Sequence, residues 1–267
     1  MKITGKVYMG VIFTLLYAPI LVIMVFSFNS SNSMAVMNGV SLRWYKELFT
    51  NEKAIDALVN SLILAVTSAV ISTVIGTAAA VGIYHIKNKR VKSAVMSVTN
   101  IPMMNPDIVT GVSIMLLFAF VATLFGLGIF GFFTLLVAHI TFNLPYVILC
   151  VMPKLKQMDK NLPEAALDLG CTPLQAFFKV EFFELIPGIA TGLLMAFTLS
   201  LDDFVISYFV AGESFQTLPI YIYAMTKRRV LPDMNALFTV IFAVIFILLL
   251  ARNFMTKDIV PKKAKEV

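Results

Sequence analysis

Six long apolar runs separated by polar stretches take up most of the chain: Val7 to Phe28, Leu58 to Tyr84, Asp107 to Phe125, Ile129 to Met152, Leu185 to Val210 and Asn235 to Phe254. An α-helix needs about 20 residues to cross a hydrocarbon core, and each run meets or approaches that length. The pattern predicts an all-α membrane protein with six transmembrane helices. The first run is longer than the apolar stretch of a secretory signal, and no small-x-small cleavage site follows, so it reads as a retained span. The connection around Gly126–Gly131 is short and uncharged, whereas the one between runs four and five has about 32 residues of mixed charge. A loop of that size has structure of its own and a partner to meet.

Composition agrees: of 267 residues 59% are hydrophobic and 13% charged, about half the charged share of a soluble domain. The net charge of +6 is unevenly placed, with 15 of the 21 Lys and Arg on one side of the predicted spans and 6 on the other. The larger group comprises Lys2 and Lys6, Lys87 to Lys92, the four lysines between runs four and five, and the basic end from Arg252 onward. By the positive-inside rule both termini are cytoplasmic, and the excess reports topology rather than nucleic-acid binding. The cluster Lys227-Arg228-Arg229 is the one contrary signal. Cys150 and Cys171 fall near the reducing side, read as structural, and no Cys or His set completes a metal site.

Against this apolar background the acids stand out. Asp202 and Asp203 lie in the fifth run, and a carboxylate near a bilayer centre costs about 2.5–3.5 kcal/mol on translocon scales. Asp107 opens the third run, and no basic residue in mid-span neutralises any of the three. Acids of this kind pair with cations, so the asymmetry favours a cationic cargo. On a continuous helix Ser200, Asp203 and Ser207 share a narrow arc and Asp202 faces away beside Thr198. Asp203 is therefore assigned to the pathway face. The plainer readings are that Asp202 and Asp203 accept hydrogen bonds from neighbouring helices and that Asp107 caps a helical turn after Pro106. Trp44, the single tryptophan, reads as an interfacial anchor, His85 as an interface residue and His139 as a helix-packing residue.

Within the long loop stands "LPEAALDLGCTPLQAFF". Pro163 and Glu164 suit a first helical turn, Gly170 is placed to end that helix, and Thr172-Pro173 reads as the N-cap and first residue of the next. Small Ala165 and Ala166 leave room for another protein to approach, and Leu167 and Leu169 offer apolar contact. The motif Glu164-Ala165-Ala166, three residues, then Gly170 resembles the loop signature of ABC importer permeases. Together with "FNSS", "SLRWY", "NPDIVTGVS", "HITFNLPYV" and "LSLDDFVISYFV", it is similar to the second-permease family of spermidine/putrescine importers. One departure is that Val180-Glu181-Phe182-Phe183 replaces the usual Ile-x-Leu-Pro, with Pro187 further on, so the motif leaves the loop's exit angle open.

The resemblance implies a type I ABC importer permease fold over 1–267 as one transmembrane domain, with 153–184 as the cytoplasmic coupling loop. It implies that Glu164, Ala165, Ala166 and Gly170 dock an ATPase, and that Asp107, Asp202, Asp203, Ser200 and Trp44 line a polyamine pathway. The implied partners are a second homologous permease, a dimer of ATP-binding subunits, an external polyamine-binding protein and membrane lipid. The implied place is the cytoplasmic (inner) membrane of a bacterium. No Gly-x-x-x-x-Gly-Lys-Ser/Thr occurs, so ATP and Mg belong to the partner ATPase and this chain binds no cofactor and is not an enzyme. The alternatives are an importer permease for iron, sulfate or thiamine, a secondary transporter, and an intramembrane aspartyl protease. Sulfate fits poorly with the acids, the docking motif argues against the second, and the absence of Gly-x-Gly-Asp argues against the third.

Overall fold

In the computed structural model the chain is described over residues 3–31, 36–126, 130–159, 161–212, 215–228 and 233–257. The basic end beyond Lys257, and Arg229 of the contrary cluster, lie outside the described residues. In chain order the elements are α1 (Ile3–Ser27), α2 (Arg43–Thr50), α3 (Glu52–His85), α4 (Lys89–Met104), α5 (Asp107–Phe125) and α6 (Phe132–Gln157). They continue with α7 (Asn161–Asp168), α8 (Pro173–Ala176), a π-helical turn (Phe177–Glu181), α9 (Phe182–Asp202), α10 (Val205–Val210), α11 (Leu218–Arg228) and α12 (Asp233–Lys257). Among the described residues, five helical stretches are long and apolar enough to cross a membrane: Gly5–Ser27, Glu52–His85, Asp107–Phe125, Phe132–Gln157 and Pro173–Asp202. To these α12 adds a 25-residue helix whose stretch Met234–Val244 is apolar. Each of the six predicted runs therefore falls on helical structure, the fifth on two helices, α9 and α10.

One expectation needs correction. Run five is not one helix: α9 ends at Asp202 and α10 begins at Val205, with Asp203 extended at φ −68°, ψ 119°. The stretch between runs two and three forms the 16-residue helix α4, capped by the Asn88 side chain on the N–H groups of Arg90 and Val91. Its end is set by Asn105-Pro106, because the residue before a proline is driven out of the helical region. Asn105 is accordingly extended, at ψ 142°.

By its contacts the chain divides into two compact units, Met1–Ile55 with Ile222–Val267, and Asp56–Tyr221. In the first, α12 packs on both α1 and α2. The short helix α2 forms because Trp44 and Leu48, four apart, bury one face while Arg43 and Glu47 pair on the other at 2.8 Å. Trp44 is 5% exposed and its Nε1 donates to the Asn29 carbonyl at 2.6 Å, tying the end of α1 to α2. Tyr45 adds a second tie, its hydroxyl 2.7 Å from Ser27 Oγ.

The second unit is built around α6, which packs against α4, α9 and α10. Its closest neighbour is α9, and the reason is readable along that helix. Gly188, Gly192, Ala196 and Ser200 repeat every four residues and are all buried. A Cβ on Gly188 would lie 3.1 Å from the Cys150 carbonyl oxygen, and one on Gly192 would lie 3.3 Å from Val147 Cγ1. In lipid, where the hydrophobic effect does not drive helices together, such small faces permit the backbone approach that van der Waals attraction requires.

Candidate substrate pathway and coupling loop

Two apolar clusters fill the second unit. One includes Val147, Val151, Met152, Leu155 and Leu185, towards the C-terminal end of α6; the other includes Leu64, Leu135, Ala138, Phe142, Ile206 and Val210. Between them the polar side chains gather. Ser200 Oγ accepts from Ser68 Oγ at 2.9 Å and from Asn143 Nδ2 at 2.7 Å, joining α3, α6 and α9. One helical turn away on α6, His139 Nε2 lies 3.1 Å from Ser207 Oγ and 3.5 Å from Asp203 Oδ2. Asp203 then accepts from the backbone N–H of Ser207 at 2.7 Å and of Ile206 at 3.3 Å. Its carboxylate caps α10, and the helix break exists because that cap and the His139 contact compensate the backbone hydrogen bonds lost there.

The acids thus receive different environments from adjacent positions. Asp203 is 8% exposed at its side chain and turned into the unit, whereas Asp202, the last residue of α9, is exposed. The division matches the one read from a helical wheel, with Asp203 on the side of Ser200 and Ser207 and Asp202 away from them, and that shared side is buried in the unit. Asp107 is also exposed, at the first turn of α5 after the Pro106 break. Asp107 and Asp202 therefore stand at breaks between helices. Irregular backbone at membrane depth is tolerated only where it is buried in protein or lines a water-filled cavity, and an exposed carboxylate facing lipid would cost about 2.5–3.5 kcal/mol.

Ser200 and Trp44 are committed to internal hydrogen bonds and present little surface. Asn143 and Ser68 escaped sequence reading, although a polar pair four apart on an apolar helix, His139 and Asn143, was a signal for a buried polar layer. Among the described residues, no group of three or more His, Cys, Asp and Glu is placed to hold a metal ion.

The loop between α6 and α9 follows its local signals closely. Gly170, at φ +83°, ends α7 in a Schellman turn, with Cys171 N–H donating to Ala166 O at 3.1 Å and Gly170 N–H to Leu167 O at 2.9 Å. Thr172 and Gln175 then form a capping box that starts α8, Thr172 N–H donating to Gln175 Oε1 at 3.0 Å and Gln175 N–H to Thr172 Oγ1 at 3.4 Å. Glu164 and Ala165 are exposed, and Ala166 is buried within the loop. Leu169 and Leu174, 86% and 73% exposed, carry the apolar outer surface. Where the expected proline is missing, the π-helical turn leads straight into α9 without a loop.

A bundle of apolar helices with two breaks marked by acids, and a capped helix pair between its spans, defines a membrane permease. The comparisons place it more closely: residues 72–263 match the model of the binding-protein-dependent transport system inner membrane component. The chain belongs to that family. The putrescine transport system permease protein PotI of Escherichia coli is 39% identical over 230 residues, covering 86% of this chain and 82% of the relative. The spermidine/putrescine transport system permease protein PotC of the same species is 38% identical over 251 residues, covering 94% of this chain and 93% of the relative. In fold the chain is similar to a bacterial ABC transporter involved in import of the acidic polysaccharide alginate, with a TM-score of 0.75 and 16% identity, covering 97% and 96% of the two chains. The protein is thus a non-catalytic inner-membrane component with the ABC importer permease fold.

Proposed function

We propose that this chain is one permease subunit of an ATP-driven importer that carries polyamines, spermidine or putrescine, across the cytoplasmic membrane. The observation that carries the reading is the pair of exposed carboxylates, Asp107 and Asp202, at two helix breaks with no base in mid-span to neutralise them. The names of relatives 38–39% identical over most of both chains agree with it. A polyamine is a flexible chain of ammonium groups, and its hydration must be replaced along the route by fixed negative charge. Asp107 and Asp202 supply that charge, and Asp203 acts as a positioning residue that holds the break open through α10 and His139. Trp44 and Ser200 support the route from within the protein by fixing the elements around it.

The proposed assembly contains a second homologous permease, which covers the exposed acids, and an external polyamine-binding protein that delivers cargo. A dimer of ATP-binding subunits receives the loop through Glu164, Ala165 and Gly170 together with Leu169 and Leu174. In this arrangement both termini are cytoplasmic. The test is uptake of radiolabelled spermidine and putrescine by the co-purified assembly in proteoliposomes loaded with ATP. Saturable uptake that falls at least tenfold in Asp107→Asn at unchanged assembly levels is the expected result. Transport of iron or thiamine instead, with no polyamine uptake, would replace the cargo while leaving the permease assignment intact.

A further inference from the structure

We propose that Thr110 and Ser113 continue the substrate route from Asp107 along α5, supplying the hydroxyl oxygens that a polyamine's ammonium groups meet beyond the carboxylate. The inference rests on the polyamine reading of the same site. The segment Asp107–Phe125 carries four polar side chains, Asp107, Thr110, Ser113 and Thr123. The first three are spaced by three residues, and residues three apart are neighbours on a helix surface. They form one strip, about 9 Å long at 1.5 Å per residue, that winds about 60° around the helix at each step. Gly111, buried beside the strip, holds α5 against α10: a Cβ there would lie 3.5 Å from the Val205 carbonyl oxygen and 3.5 Å from Ile206 Cα. The strip thus starts one turn from the first residues of α10 and turns outward, with Thr110 half-buried and Ser113 exposed.

The state of these hydroxyls sets them apart. A serine or threonine on a helix has a carbonyl of its own helix within reach one turn back. Thr14, Thr123, Thr141, Thr191 and Thr198, exposed on α1, α5, α6 and α9, all donate to it at 2.8–2.9 Å. Thr110 and Ser113 make no side-chain hydrogen bond among the described residues. An open hydroxyl facing lipid is costly, whereas one facing a hydrated route completed by a second permease is available to cargo. Its oxygen accepts and an ammonium only donates, so the two match. Neutral oxygens beyond a carboxylate also suit passage, because binding on a route must be favourable enough to enter and weak enough to leave. Spermidine has three amino groups and putrescine two, so the longer cargo spans more of the strip.

The experiment measures initial uptake of radiolabelled spermidine and of putrescine by the intact assembly in proteoliposomes loaded with ATP. A hydrogen bond to a charged group is worth about tenfold, so Thr110→Val/Ser113→Ala should lower spermidine uptake roughly tenfold or more at unchanged assembly levels. Ser113→Ala alone should lower spermidine uptake more than putrescine uptake, a change in cargo ratio that a packing defect would not produce. Ser113→Thr keeps the hydroxyl and should restore the ratio. Thr123→Val removes a hydroxyl already bonded to the Ala119 carbonyl and should transport at the wild-type rate. Should the double variant fail to assemble, Ser113→Ala, at an exposed position, carries the test alone. Wild-type uptake in the double variant, equal loss of both cargoes in Ser113→Ala, or a matching loss in Thr123→Val would overturn the proposal. Loss of the second permease from the variant assemblies would also overturn it, assigning the strip to a contact between subunits. A wild-type assembly that carries no polyamine would remove the polyamine reading itself, and this inference with it.

Discussion

Asp202 and Asp203 are neighbours in sequence and opposites in surroundings. Asp203 uses its oxygens on the N–H groups of Ile206 and Ser207 and on His139, while Asp202 is exposed at the end of α9. Losing a cap of this kind costs about 1–2 kcal/mol, so Asp203→Ala should lower the melting midpoint and the yield of the purified assembly. Asp203→Asn keeps an oxygen acceptor and should fall between it and the wild type. Asp202→Asn should assemble normally yet reduce polyamine uptake several-fold, because only charge facing the route has been removed. Equal uptake in Asp202→Asn and wild type at equal assembly levels would leave Asp202 without a transport role. That Asp203 shares a side with Ser200 and Ser207 while Asp202 turns away was legible on a helical wheel. The break after Asp202 was not, because a wheel presumes an unbroken helix and Asp203 is part of what breaks it.

At the level of elements, the tightest constraint is the four-residue spacing of small side chains on α9 against α6. Gly188→Leu and Gly192→Leu should each destabilise the assembly by about 1–3 kcal/mol, since the added side chain meets Cys150 or Val147 before it can find a rotamer. Thermal denaturation in detergent, read by loss of monodisperse protein, checks this, and wild-type midpoints in both variants would show that the helices separate easily. The coupling loop is constrained differently. Gly170→Val places a β-branched residue at φ +83°, a strain of about 1–2 kcal/mol confined to the joint. That variant should insert normally but lose retention of the ATPase on affinity purification, an outcome that normal retention would contradict. The joint was readable in advance because Schellman turns and capping boxes are local devices. The π-helical turn after it was not, since nothing in Phe177–Glu181 signals it by spacing.

Orientation belongs to the molecule as a whole. The 15-to-6 division of Lys and Arg predicts that the side bearing α7 and α8 is cytoplasmic. In a background where Cys150 and Cys171 are replaced by alanine, Val40→Cys, at an exposed position before α2, should react with an impermeant maleimide in intact cells. Gln157→Cys, exposed at the end of α6, should react only after permeabilisation. The reverse pattern would place the coupling helices outside and remove the ATPase from the proposed mechanism.

The spans, the charge asymmetry between their connections and the caps of the coupling loop are determined by the sequence itself, because each depends on transfer free energy or on hydrogen bonds within a few residues. The tertiary structure alone decided that Trp44 is buried against the Asn29 carbonyl, that Ala166 faces inward and that Ser200 is held by Ser68 and Asn143. It also decided that the fifth span breaks after Asp202. Each of these outcomes depends on groups distant along the chain: the same serine or carboxylate would be exposed or buried according to which helix face meets it, and an apolar run has the same hydropathy whether or not a partner such as His139 compensates a break within it.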